Sequence, residues 1–337
     1  MLKSALLASA VFVAAALPAS AQEVTIRLHS FSSPTALDHT MHLDRWAEAV
    51  EAESDGRIDV QVFPAMQLGG APADLVQQLE DGVVDMIWTV SGFTPGRFTG
   101  TQGLELPFMH TGKSATMSPA AMEFIEANLA KEMEGIKVIA VHATDGALFH
   151  TKGCIASMDD LAGKQIRVSG KYIGEAVKAL GGTPVGIALP GVYEATARGQ
   201  VDGMLLNWAI TKPYKFTEVT DCHTEPSLYQ TMLMTLMSQD SYDAMPDDLK
   251  AVIDANSGIE YAKKMGEIWD SQTEPARNVA IEVGNEIVTL SPEELAKWKE
   301  TVKPVYQMWA DEMTERGYDG DALLASLLEI TAKYGRE

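Results

Sequence analysis

One arginine stands in an otherwise apolar run. Arg167 lies between Ile166 and Val168, at the end of the segment Asp159-Asp160-Leu161-Ala162-Gly163-Lys164-Gln165-Ile166-Arg167-Val168. Its neighbours place it in or beside a buried strand, where an unpaired guanidinium is expensive. The planar fork offers two parallel donors that match a carboxylate. An anionic group is therefore expected to meet it, either on a ligand or, alternatively, on an acidic side chain of the protein.

Other spacings that could do chemistry lead to less. His39 and His42, in Asp38-His39-Thr40-Met41-His42, are three apart at the start of a helix, a spacing that can hold a metal. No third ligand is set by spacing, so helix capping and solvent-exposed histidines are expected instead of a metal. Gly112-Lys113-Ser114 resembles a phosphate loop, but Pro107 stands where the leading Gly belongs. No G-x-S-x-G, H-E-x-x-H or Cys–His signature occurs, so neither catalytic residues nor a cofactor are expected. Cys154 and Cys222 lie outside any C-x-x-C, which leaves redox catalysis and zinc without support.

The N-terminus sets the compartment. Lys3, an apolar run from Ala5 to Leu17, and Pro18-Ala19-Ser20-Ala21 form an export signal with an A-x-A site, so Met1–Ala21 is expected to be removed and the mature chain to begin near Gln22 in the periplasm. An uncleaved anchor is the alternative. No later stretch approaches the ~20 apolar residues of a membrane span. In an oxidising compartment the two cysteines are expected as a structural disulfide, with two separate thiols as the alternative. The chain has 26 basic and 47 acidic residues, a net charge of −21. That excess argues against nucleic acid or an anionic membrane as partner. An anionic ligand must be drawn by a local site.

The elements that must position Arg167 alternate between strand and helix. Strands are expected at Val24–Leu28, Ile58–Phe63, Val83–Val90, Val138–His142, Leu148–Thr151 and Gln165–Val168. Helices are expected at His39–Glu53, from Pro72 to Asp81, and at Tyr172–Leu180. Pro246-Asp247 opens a long helical stretch reaching past Trp269, with Pro275 as a possible kink, and Ser291-Pro292-Glu293-Glu294 is a capping box. The 337 residues, 46% of them hydrophobic, suffice for two lobes with real cores. No flexible linker separates such lobes, so the chain is expected to cross between them more than once.

In order along the chain stand Gly56-Arg57-Ile58, Phe63-Pro64, Gln67-Leu68-Gly69, Gly82-Val83-Val84-Asp85-Met86, Leu106-Pro107-Phe108, Asp160 to Val168, Val192-Tyr193, Gly199-Gln200-Val201-Asp202-Gly203 and Lys215-Phe216-Thr217-Glu218-Val219. Taken together, these segments resemble the DctP-type substrate-binding proteins of TRAP (tripartite ATP-independent periplasmic) transporters over nearly the whole mature chain. The resemblance implies an α/β, two-lobed venus-flytrap fold with interwoven lobes, a long helix from near Asp247 spanning both, and no catalytic activity. It also implies a small organic acid in the cleft, delivered to the small and large membrane permease subunits that an ion gradient drives. The family's carboxylate-clamping arginine falls on Arg167. The expected division is lobe I over 22–145 and the core of lobe II over 146–222. From 223 to 337 the chain returns to lobe I, then runs through the spanning helix to lobe II and the C-terminal helices.

Departures from the family pattern point to the ligand. Leu205, Leu206 and Gly191 stand where polar family residues are common, and no second arginine occurs within Asp145–Lys152. A polyhydroxylated acid would leave its hydrogen bonds unmet in such a cleft. A monocarboxylate with an apolar or aromatic body, such as a 2-oxo, 2-hydroxy or aromatic acid, fits better. Asn207 and Trp208 after the Asp202-Gly203 motif, and Trp88 after Asp85-Met86, are candidate lining residues. So are Phe31, Tyr172, Phe149 and Met204. Two other readings remain open. In one, Trp88 and Trp208 box the cation of a zwitterion or amine; in the other, the same scaffold serves a sensor.

Overall fold

The computed structural model describes residues 22–335, so the export signal expected over Met1–Ala21 lies outside the described residues. Among the described residues eleven strands form two sheets. The first sheet contains β1 (Val24–Ser30), β2 (Ile58–Phe63), β3 (Met86–Val90), β4 (Ile136–Ala143) and, from much later in the chain, β10 (Met232–Ser238). Its order is β2-β1-β3-β10-β4, with β10 antiparallel to both neighbours. The second sheet contains β5 (Ala147–Thr151), β6 (Gln165–Val168), β7 (Thr183–Gly186), β8 (Gly203–Asn207), β9 (Cys222–Thr224) and β11 (Glu286–Val288), in the order β11-β9-β5-β8-β6-β7. Each sheet is the centre of one lobe. Every residue of β3 is buried, as are Ile26 and Leu28 of β1, as expected for central strands covered on both faces.

Among the described residues the chain crosses between the two sheets three times. Residues 144–146 join β4 to β5, and 225–231 join β9 back to β10. These two crossings run side by side: Ala147 N–H donates to the Tyr229 carbonyl (2.7 Å), Leu228 N–H to Ala147 (2.8 Å), and Thr144 N–H to Thr231 (3.0 Å). The third crossing is the helix Gly258–Glu282. Its first half is held to the first lobe by Asp270, whose carboxylate accepts from the Ser114 and Ala115 amides (2.8 and 3.0 Å) at the start of helix Ser114–Asn128. Its second half packs Ala276 and Ala280 on Leu148 and Trp208 of the second lobe, and Arg277 pairs with Glu225.

Several expectations are corrected. The spanning helix does not begin at Asp247. A separate helix, Asp247–Ala255, begins there, and after it the chain turns through Asn256-Ser257-Gly258, Gly258 taking a φ of +82° that costs other residues more. The segment expected as one helix from His39 opens with a π-helical turn over His39–Leu43 and becomes α-helical only over Asp44–Glu53. Asp38 makes no side-chain cap there, and His39 and His42 are buried, not solvent-exposed. His39 Nε2 lies 2.6 Å from Ser30 Oγ, while His42 packs edge-on to His142. Cys154 and Cys222 are joined in a disulfide, as expected.

Candidate ligand-binding site

The parallel strands of both sheets end at one place. β1, β3 and β4 lead into Phe31, Phe93 and Thr144; β6, β7 and β8 lead into Ser169, Leu189 and Ile210. These residues wall a cavity between the lobes, at the carboxyl ends of strands where α/β proteins characteristically bind ligands. Trp269 of the spanning helix also lines it. Most of the lining is shut from solvent, so the lobes stand closed over the space.

Arg167 reaches this cavity from β6, where it sits in register with Val185 of β7 and Met204 of β8. Its exposure is 1%. Among the described residues its one hydrogen bond runs from Nε to the Ile187 carbonyl oxygen (2.7 Å), and no carboxylate pairs with it. Nη1 is buried without a partner. Burial draws the pKa down to about 10, so the guanidinium remains charged at neutral pH. Of the two anions the sequence left open, the protein's own is therefore absent. The terminal nitrogens of the fork are free of protein acceptors.

The rest of the wall is mainly apolar. Trp88 stacks on Phe31 with ring centres 5.0 Å apart, and Phe93 meets Phe31 edge-on at 5.0 Å. Val90, Leu189, Leu206, Ile210 and Leu233 complete that lining, and Arg167 is its one cation among the described residues. Asn207 also faces the cavity, but its amide donates to Asp145, whose other carboxylate oxygen accepts from the Trp208 backbone (2.9 Å). Asp145 belongs to the first crossing, so Asn207 is oriented by the hinge itself. Asp38 supplies the cavity's second unpaired polar side chain: its Oδ2 is buried without a partner, and burial pushes its pKa up to about 7.

Of the residues singled out by sequence, Arg167, Asn207, Trp88 and Phe31 are brought together here. Four others are placed elsewhere. Trp208 turns away from the cavity into the cluster of Leu148, Ala276 and Ala280, and its Nε1 donates to Glu225 (2.9 Å). Phe149 points to Trp298, 5.6 Å away and edge-on. Tyr172 donates to Glu312 (2.7 Å), tying helix Lys171–Ala179 to the C-terminal helices. Met204 is packed inside the second lobe beside Arg167 in the sheet. Sequence reasoning did not find Asp38, Phe93, Ser169 or Trp269 as lining residues. Asp38 drew notice only as a cap beside two histidines.

Residues 30–312 match the family described as bacterial extracellular solute-binding protein, family 7, known as DctP. The chain belongs to that family. This DctP-family protein has the two-lobed fold of TRAP periplasmic binding proteins and is a solute-binding protein of that kind. It is 38% identical to a marine-metagenome TRAP solute-binding protein from an unidentified microbe, specific for aromatic acid ligands and co-crystallised with 3-hydroxybenzoate. That match has a TM-score of 0.89 and covers 93% of this chain and 99% of that one. A TRAP solute-binding protein from Rhodoferax ferrireducens, with copurified benzoate, is 34% identical at a TM-score of 0.89 over 93% of this chain and 98% of that chain. The C4-dicarboxylate-binding periplasmic protein DctP of Rhodobacter capsulatus is 26% identical over 97% of this chain and 96% of its own. DctP-family proteins are not an enzyme family; they carry a small molecule to membrane permease partners. No helix among the described residues is long and apolar enough to cross a membrane.

Proposed function

We propose that this DctP-family protein binds an aromatic monocarboxylate, with Arg167 as the carboxylate clamp, and delivers it to the small and large membrane subunits of a TRAP permease. The observation that carries the reading is a buried guanidinium, unpaired at Nη1, facing a closed cavity whose other walls are largely aromatic and aliphatic. A carboxylate bound bidentately satisfies the fork, and a flat ring fills the space between Trp88, Phe93 and Ile210. A dicarboxylate would bury its second charge with no cation to meet it. The aromatic acids bound by two of the similar proteins support the same class.

An amine reading loses its support because Trp88 and Trp208 do not share the cavity, so no two-tryptophan box surrounds a cation. Export with removal of the segment up to Ala21 belongs to the proposal, as does the division into lobe I (22–145), the core of lobe II (146–222) and a returning segment from 223.

The test is calorimetric titration with benzoate, mandelate, succinate and ectoine. Benzoate or mandelate should bind and succinate and ectoine should not. Arg167→Ala should weaken benzoate by about a hundred-fold or more, the scale of losing a charge-assisted pair in a buried site. Wild-type affinity in that variant would overturn the clamp.

A further inference from the structure

Three buried polar atoms among the residues lining the cavity lack a hydrogen-bond partner: Arg167 Nη1, Asp38 Oδ2 and Trp88 Nε1. Arg167 belongs to the second lobe; Asp38 and Trp88 belong to the first. No ion pair joins Asp38 to Arg167, although both line the same space. A monocarboxylate held by Arg167 therefore leaves an acceptor and a donor of the first lobe unmet, and buried polar groups without partners are rare in native structures.

We propose that Asp38 is a specificity-determining residue, accepting a hydrogen bond from a hydroxyl group on the ring of an aromatic acid whose carboxylate Arg167 holds. The proposal rests on the carboxylate reading given above and narrows it from aromatic acids to hydroxylated ones.

Three features favour a hydroxyl over other groups. The first lobe offers one acceptor, Asp38 Oδ2, and one donor, Trp88 Nε1, and a hydroxyl carries both complements where an ammonium carries only donors. Asp38 is buried just ahead of the π-helical turn, with the Ser32 side chain near its carboxyl group. Ser32 in turn lies 3.2 Å from the Tyr214 hydroxyl, which comes from the segment after β8, so this end of the cavity is organised only when the lobes meet. Burial also raises the Asp38 pKa to about 7, and a hydroxyl, which both donates and accepts, satisfies the carboxyl group in either protonation state.

The proposal is tested by titrating the purified protein, expressed from the full-length sequence, with benzoate, the three hydroxybenzoates and the three methylbenzoates. A methyl group copies the size of a hydroxyl and removes its hydrogen bonds. At least one hydroxybenzoate should bind about ten-fold or more tightly than its methyl counterpart, because a methyl leaves the buried acceptor unpaired. In Asp38→Leu that ratio should collapse towards one or invert, while Asp38→Asn, which keeps a carbonyl acceptor, should retain most of it. If benzoate binds and Arg167→Ala abolishes that binding, but methyl and hydroxyl compounds bind alike in wild-type protein, the role of Asp38 is overturned and the clamp stands. If no benzoate binds at all, the carboxylate reading fails and this proposal fails with it. The wild-type series decides the matter even if Asp38→Leu does not fold.

Discussion

Gly92 in the first lobe lies against Ser169 in the second so closely that a β-carbon on Gly92 would stand 2.5 Å from the Ser169 carbonyl oxygen and 3.0 Å from the Gly170 Cα. Both contacts are with backbone, so no side-chain movement relieves them; only separation of the lobes does. Overpacking of this kind costs about 1–3 kcal/mol. In Gly92→Ala the cost falls on the closed form, and benzoate affinity should drop by about ten-fold or more. The melting temperature of the ligand-free protein should change little. Unaltered affinity by calorimetry would mean that binding does not require this contact.

Trp208 separates the two tryptophans that the sequence could not. Its indole packs with Leu148, Ala276 and Ala280, outside the cavity lining, and donates to Glu225. Trp208→Phe should cost about 1 kcal/mol of stability for the lost hydrogen bond and leave benzoate affinity within about three-fold, less than one kilocalorie. A large loss of affinity with a small loss of stability would put Trp208 in the site.

The Cys154–Cys222 bond links the stretch after β5 to the start of β9, closing a loop of 68 residues inside the second lobe. Chain-entropy arguments give about 4 kcal/mol for a loop of that length. Reduction, or Cys154→Ser with Cys222→Ser, should therefore lower the melting temperature by several degrees. Scans with and without reductant measure it, and identical melts would show the bond to be energetically idle.

All seven histidines of the chain have pKa values held below the ordinary one, chiefly by burial: His29, His39, His42, His110, His142, His150 and His223. As pH falls through about 6.5 the unfolded chain takes up protons that the folded chain refuses, until about pH 4 at His223 and about pH 3 at His142. Stability from these groups is thus lost with falling pH. Asp38, Glu105, Glu132 and Asp145 act in the opposite sense. Burial raises them, to about 7 for Asp38, Glu105 and Asp145, so their contribution is present below about pH 4 and lost as pH rises through 7. The histidines outnumber them, and the melting temperature should fall between pH 6.5 and 4.5. Melts that stay level or rise over that range would show the carboxyl groups to dominate.

How much of this was legible in sequence depends on the range of the signal. Arg167 was legible because a charge between Ile166 and Val168 conflicts with its surroundings in three adjacent letters. The apolar cleft was legible in Leu205 and Leu206, of which Leu206 lines the cavity. Asn207 and Trp208 adjoin in sequence, but Asn207 ends β8 at the cavity while Trp208, the first residue beyond the strand, turns to Leu148, Ala276 and Ala280, and that turn depends on the fold. Asp38 was illegible for another reason. Its role follows from the burial of its Oδ2 and the company of Trp88 and Arg167, both more than 45 positions away, whereas its immediate neighbours suggested a cap. The break at Asn256-Ser257-Gly258 lay open in the sequence, but the strong helical pattern on both sides concealed it.

The unpaired groups of the cavity bear on economy of transport. An empty molecule that closed would keep Arg167 Nη1 and Asp38 Oδ2 dry and unbonded, each at a cost of about 1–3 kcal/mol or more. A cargo that satisfies them removes that cost, so the shape of the molecule becomes a report of occupancy. On the reading proposed here, a permease that recognises only the closed shape meets few empty carriers, and the ion gradient is not run down by vacant deliveries.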